Sequence, residues 1–371
     1  MLNKGLSIPQ SLKSIIDDIF SWSSEKPVFP WIIMGSGLGM GVPLVISGLL
    51  GMIEIGCIAS IGTLTISNLS EDSPLRKQLP ILVLYMIFDA MAFCYGSISG
   101  DNSSTAGLYL VLLTMFIALI GGINRSFARC SSVILIFLII GSSFNSISPV
   151  STVGITGAFV IGEIWIIILV SSIYCLLKRT EEVTSLPLVS EINSQIKKPS
   201  LQHQYRYWKK SLHTIKGWLY TLRITLCMIF AELSVLFLNL PRSYWIPLVV
   251  VLVVHRNLST TFSRISMRAL GTCVGVVIAG IMMFWSIPSG VFIIIITVLA
   301  LLRPYLKSRN YLLYTSLMTI LIISLLEFNE PYIRGIIFDR LINTIIGLFI
   351  ALIMGYALWQ LPFIQKKINM N

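Results

Sequence analysis

Apolar side chains run along this chain in long unbroken blocks separated by short polar connectors, without the in-and-out alternation of a membrane-barrel strand. A bilayer core of roughly 30 Å takes about 20 helical residues, and about twelve blocks approach that length. They predict spans near 31–50, 52–69, 80–98, 105–121, 131–148 and 153–177, then 219–239, 243–255, 268–285, 288–302, 311–326 and 335–359. The expected fold is all-α and polytopic: about twelve transmembrane helices in two six-helix halves.

Two stretches leave this pattern. In residues 1–29 there is no signal-peptide core; Leu12, Ile15, Ile16, Ile19, Phe20 and Trp22 mark one face of an amphipathic helix after Pro9. Residues 178–217 are polar, carry Pro187 and Pro199 and end in a basic aromatic cluster. There Tyr205, Trp208, Leu212 and Ile215, flanked by Arg206, Lys209, Lys210 and Lys216, give either an interfacial helix drawn to anionic headgroups or an ordinary basic loop. The chain thus divides into an amphipathic cytoplasmic segment 1–29, a first membrane block 30–177, a cytoplasmic linker 178–217, a second membrane block 218–360 and a tail 361–371.

Composition agrees: 55% hydrophobic against 12% charged residues is more apolar surface than one soluble core hides. The net charge of +11 does not point to nucleic acid, because Lys and Arg lie in the connectors. Arg76, Lys77, Arg125, Arg129, the 178–217 linker, Arg256, Arg264, Arg303, Lys307, Arg309, Lys366 and Lys367 share one side, while Arg242 and Arg334 fall on the other. That places both termini in the cytoplasm. The six cysteines form no CxxC pair, and His203, His213 and His255 have no ligand-like companions. No metal, cofactor, nucleophile motif or phosphate loop is indicated, so an enzyme is not expected.

The candidate chemistry lies inside the apolar blocks. Arg268, Thr272 and Gly275 stand at i, i+4 and i+7 in RALGTCVG, and Arg340, Thr344 and Gly347 repeat the spacing in RLINTIIG. An odd number of spans separates the two, so they enter from opposite faces, as in an inverted three-plus-three repeat of the second half. A cation, a hydroxyl one turn deeper and a glycine for close helix contact make an anion-binding stripe. Snorkelling arginines are the plain alternative, and Gly271 with Gly275 also reads as a GxxxG packing motif. Glu54, Asp89, Glu163 and Glu232 interrupt apolar blocks and are candidate proton sites. Tyr244 and Trp245 serve as interfacial anchors or as an aromatic wall for a ring-bearing substrate.

The segments TLRITL, PRSYWIPLVVVLVV, HRNLSTTFSRISMRALGTCVG, RNYLLYTSLMTILI and DRLINTIIG resemble, in order and spacing, the fusaric acid resistance (FUSC) family over most of residues 215–360. In the first half, IASIGTLTISN resembles that family's first membrane block. The resemblance implies a bacterial inner-membrane exporter of aromatic carboxylic acids or similar organic anions, driven by the proton gradient, sometimes with a periplasmic adaptor. The second block is also similar to plant aluminium-activated malate transporters, anion channels with basic residues along the pore. That similarity implies Arg268 and Arg340 as substrate or pore cations. A channel without coupling and a non-transporting scaffold stay open; related channels are built from two six-span units, which this chain carries in series, so a monomer can suffice and a homodimer also stays open.

Overall fold

The computed structural model describes Val28 and residues 30–68, 75–99, 104–147, 151–181, 201–284, 288–326 and 333–361. The amphipathic N-terminal segment, most of the linker and the C-terminal tail lie outside the described residues. The first half comprises α1 (Pro30–Leu49), α2 (Ile53–Gly62) continued by a 3-10 turn (Thr63–Asn68), α3 (Leu75–Ser99), α4 (Ser104–Ile120), α5 (Arg125–Ile147) and α6 (Thr152–Glu181). A short helix, α7 (Leu201–Ser211), precedes α8 (Ile215–Leu238), α9 (Trp245–Val253), α10 (Leu258–Phe284), α11 (Ser289–Arg309), α12 (Tyr311–Leu326) and α13 (Ile333–Leu352). A π-helical turn, Ile353–Ala357, extends α13.

Among the described residues eight helices are long and apolar enough to cross a membrane, which makes this a multi-pass helical membrane protein. Ile53–Ile66, Ala106–Ile120 and Tyr311–Leu326 are apolar but shorter. Four of the expected spans therefore fall short of full-length helices: the fourth and eleventh are among the shorter helices just named, the second tightens into a 3-10 turn after Gly62, and the eighth shrinks to nine residues. Breaks follow local chemistry. Gly51 takes a positive φ of 69° in the turn between α1 and α2, and Asn239 ends α8 in the left-handed region.

Packing follows the same order in both halves. In the first, α2 packs on α6, and α3 on α5 and α6; in the second, α9 packs on α13, and α10 on α12 and α13. The halves meet where α1 lies along α11 and α4 along α8. At the first seam Gly37 and Gly41 leave room for Leu301 and Thr297 of α11. Pro304 inside α11 cannot donate to the Ala300 carbonyl, which instead accepts the Ser36 hydroxyl at 2.7 Å. The first-half core is aromatic: Phe93 stacks on Phe159 at 4.1 Å, with Phe137 and Phe144 around them.

Helix α7 is docked, not free. Trp208 Nε1 donates to the Leu119 carbonyl at 3.2 Å and Asn124 Nδ2 to Gln204 Oε1 at 2.9 Å, while Tyr205, Arg206, Tyr207, Lys209 and Lys210 stay exposed.

Candidate functional site

Arg268 lies seven residues into the Thr261–Met282 span, about 10 Å along the axis. It is 2% exposed, so its head group reaches neither water nor lipid and snorkelling does not describe it. Its Nε and Nη2 are buried without hydrogen-bond partners. Those two nitrogens form one edge of the guanidinium, the edge that grips a carboxylate through two parallel bonds. Thr272, one turn deeper, is also buried, and its hydroxyl has no partner.

A second cation comes from α11. Arg303 is 2% exposed, about 9 Å in from the helix end at Arg309, with Nη1 unpartnered. Tyr314 of α12 is within electrostatic reach of both Arg268 and Arg303, and Arg264 covers the Tyr311 ring at 5.0 Å. Among the described residues no carboxylate pairs with Arg268 or Arg303. Sequence reasoning missed Arg303 because Lys307 and Arg309 follow it closely, like an interfacial connector; the signal was the apolar run LALL directly before it.

The glycines of the first motif have a packing role. Gly271 faces Thr315 and the Leu312 carbonyl, and a Cβ on Gly275 would stand 2.6 Å from the Ser316 carbonyl. The α10–α12 contact therefore needs both glycines.

Arg340 sits elsewhere. Arg223 ties Gly355, just past α13, to Thr261 at the start of α10, so these two helices run in opposite senses. From that common level Arg340 lies about 22 Å away and Arg268 about 10 Å. The two arginines thus occupy different levels of the membrane block. The Arg340 guanidinium carbon lies 3.0 Å above the Trp245 ring centroid, and Tyr244 is 4.9 Å from Trp245. Thr344 is buried with an unpartnered hydroxyl, and Gly347 packs against the Ile246 carbonyl and Val249. Asn343 holds this end by donating to the carbonyls of Pro241 and Arg242 at 2.9 and 3.2 Å.

The four acids also separate. Asp89 and Glu163 are both 0% exposed and neighbour each other. Glu54 is half-buried in the first turn of α2, and Glu232 is half-buried on α8 beside Gly107 of α4. Arg223 does not pair with Glu232. It donates to the Gly355 carbonyl at 2.9 and 2.6 Å, to the His255 and Arg256 carbonyls at 3.1 and 3.3 Å, and to Thr261 at 3.2 Å.

The arginine cluster and Arg340 both fall within residues 226–354, and that segment matches a known family model. The model is that of the fusaric acid resistance protein-like family, and it matches these residues, about a third of the chain. The uncharacterized protein YhfK of Escherichia coli (strain K12) is 34% identical over 140 residues, 38% of this chain. The match spans only 20% of that relative's length. No solved structure matches the chain. The fusaric acid resistance-like region runs from within α8 to the π-helical turn, so it holds Arg268, Arg303 and Arg340 but neither Asp89 nor Glu163.

Proposed function

We propose that this chain exports small organic anions across a bacterial inner membrane, both termini cytoplasmic, as a proton-coupled carrier of the fusaric acid resistance type. The observation that carries the reading is the unpartnered Nε and Nη2 edge of the buried Arg268. A buried, unneutralised guanidinium costs several kcal/mol, and a carboxylate bound through two parallel hydrogen bonds offsets that cost. Thr272 donates from one turn deeper, Arg303 supplies a second charge, and the Tyr311 and Tyr314 rings give an aromatic acid a surface to lie on. The shared packing order of the halves is read as a duplicated six-helix unit, with α9 on α13 and α12 on α10 as the inverted relation within the second.

A second reading, an uncoupled anion channel, is favoured by one observation: Arg268 and Arg340 stand about 12 Å apart along the helix axes, as successive cations along one path. The deciding experiment is uptake of radiolabelled 4-hydroxybenzoate into proteoliposomes under an imposed pH gradient, for wild type, Arg268→Met and Arg303→Met. Accumulation above equilibrium, lost in both variants, supports the carrier. Equilibration without accumulation supports the channel. Absence of flux for this and other anions overturns both.

A further inference from the structure

Asp89 and Glu163 lie in the other half of the molecule, and two contacts fix them opposite each other. Ser97 and Thr156 hydroxyls meet at 3.3 Å, and Phe93 stacks on Phe159 at 4.1 Å. One further turn along these antiparallel helices, back on α3 and forward on α6, sets Asp89 against Glu163. Both oxygens of Asp89 and Oε2 of Glu163 are buried without partners. Glu163 Oε1 accepts the Thr65 hydroxyl at 3.2 Å, from the 3-10 turn where α2 loses its helical form. Broken helices at mid-membrane depth are where transporters place coupling ions.

The surroundings leave the pair alone with its charge. On α3, Tyr85 lies one turn from Asp89; α5 contributes Cys130, with Arg129 near Tyr85; on α2, Glu54 stands in the first turn, near Cys57 and away from the pair. Among the described residues no cation is within electrostatic reach of either carboxyl. Two adjacent carboxylates in an apolar interior are ionised together only at a high free-energy cost, which a single shared proton relieves. A hard metal cation takes six or more oxygens, and beside the two carboxyls the Thr65 hydroxyl is the further side-chain oxygen in contact with the pair among the described residues. Among the described residues no cluster of three metal-ligating side chains occurs.

We propose that Asp89 and Glu163 act as one proton-binding unit, a carboxyl pair that takes up and releases a single shared proton, with Thr65 orienting Glu163. The proton comes from the aqueous phase and returns to it; no other bond changes. This rests on the transport reading and assigns its coupling site to the first half. Helix α1 links that site to the anion cluster: Gly35 and Gly39 face Ile66, Val170 and Ile166 beside the acids, while Gly37 and Gly41 face α11, which carries Arg303.

The test is pH-induced infrared difference spectroscopy of the purified full chain in lipid. Wild type is expected to show a protonated-carboxyl band that appears as pH falls and shifts on deuteration. Asp89→Asn and Glu163→Gln are each expected to abolish or displace the whole band, while Glu54→Gln and Glu232→Gln leave it in place. Should either neutral variant fail to fold, Asp89→Glu and Glu163→Asp are expected to keep a displaced band. Two independent bands, each removed by one variant, would overturn the pair. So would a band unaffected by any of the four substitutions in the pair, or one displaced by sodium at constant pH. A band that behaves as expected in a protein with no anion flux would sink the transport reading and leave the proton unit standing.

Discussion

Arg223 and Arg268 are both buried arginines, yet the structure assigns them opposite effects on stability. Arg223 is satisfied: Gly355, His255, Arg256 and Thr261 all accept from it. Arg223→Met strands three carbonyls and a hydroxyl, so a loss of roughly 3–5 kcal/mol is expected. Arg268 has an unpartnered edge and no counter-ion. Arg268→Met keeps the apolar stem and removes a charge worth roughly 2.5–3.5 kcal/mol of insertion cost at a helix centre, less toward the interface. A gain of about 1–3 kcal/mol is expected, and so a midpoint several degrees higher. The assay is thermal unfolding of detergent-purified protein followed by size-exclusion recovery, with and without a candidate anion. Anion at about 100 times its Kd adds about 2.7 kcal/mol to wild type and nothing to Arg268→Met. An Arg268→Met protein as unstable as Arg223→Met would refute the reasoning, because Arg268 would then hold the helices together and not await a ligand.

Other expectations follow from single contacts. Arg303→Met lowers anion uptake at least tenfold while the protein elutes as wild type; full uptake would remove Arg303 from the cluster. Gly275→Ala drives a Cβ against the Ser316 carbonyl and costs roughly 1–3 kcal/mol in thermal unfolding, whereas Gly157→Ala meets nothing within 4 Å and stays near wild type. In the α9–α10 connector, partial burial and then the charges of Arg264, Arg256 and Arg223 pull the His255 imidazole down from 6.5 to about 4. The unfolded chain therefore binds this proton more readily, so its contribution is complete above about 6.5 and is lost as pH falls toward about 4. His255→Gln should flatten stability across that window, and an unchanged slope would count against it.

Hydropathy carried most of the fold into view because a bilayer demands long apolar helices with internally satisfied backbones. It could not show that α9 would shorten to nine residues or that α2 would tighten at Gly62, since both are settled by neighbours: Val249 of α9 packs on Gly347, and Gly62 on the Phe159 carbonyl. The site was legible only in pieces. Arg268 stood out as a charge in an apolar run, but its companion Arg303 hid in a basic helix end, and spacing alone suggested Arg340 as the partner. The pairing of Asp89 with Glu163, 74 positions apart, depends on α3 lying along α6, which no local pattern encodes.

The placement of charge also bears on why such groups persist at all. The two halves pack their helices in the same order, yet the first buries Asp89 and Glu163 and the second buries Arg268 and Arg303. If these groups served packing alone, bringing acid and base together would neutralise both, and apolar residues of similar volume would serve as well or better. Instead, among the described residues, neither acid feels a nearby cation and neither arginine feels a nearby acid. On the transport reading proposed above, charges kept apart in this way each take an external partner of opposite sign, a proton on one side of α1 and an anion on the other. The glycine-lined α1 touches both neighbourhoods, as the contact between α2 and α12 also does, so bulk added at Gly37, against Leu301, is expected to weaken coupling before it weakens anion binding. Measured side by side, Gly37→Ala should keep anion-induced thermal stabilisation and lose accumulation under a pH gradient. Loss of both together would place the effect in folding instead.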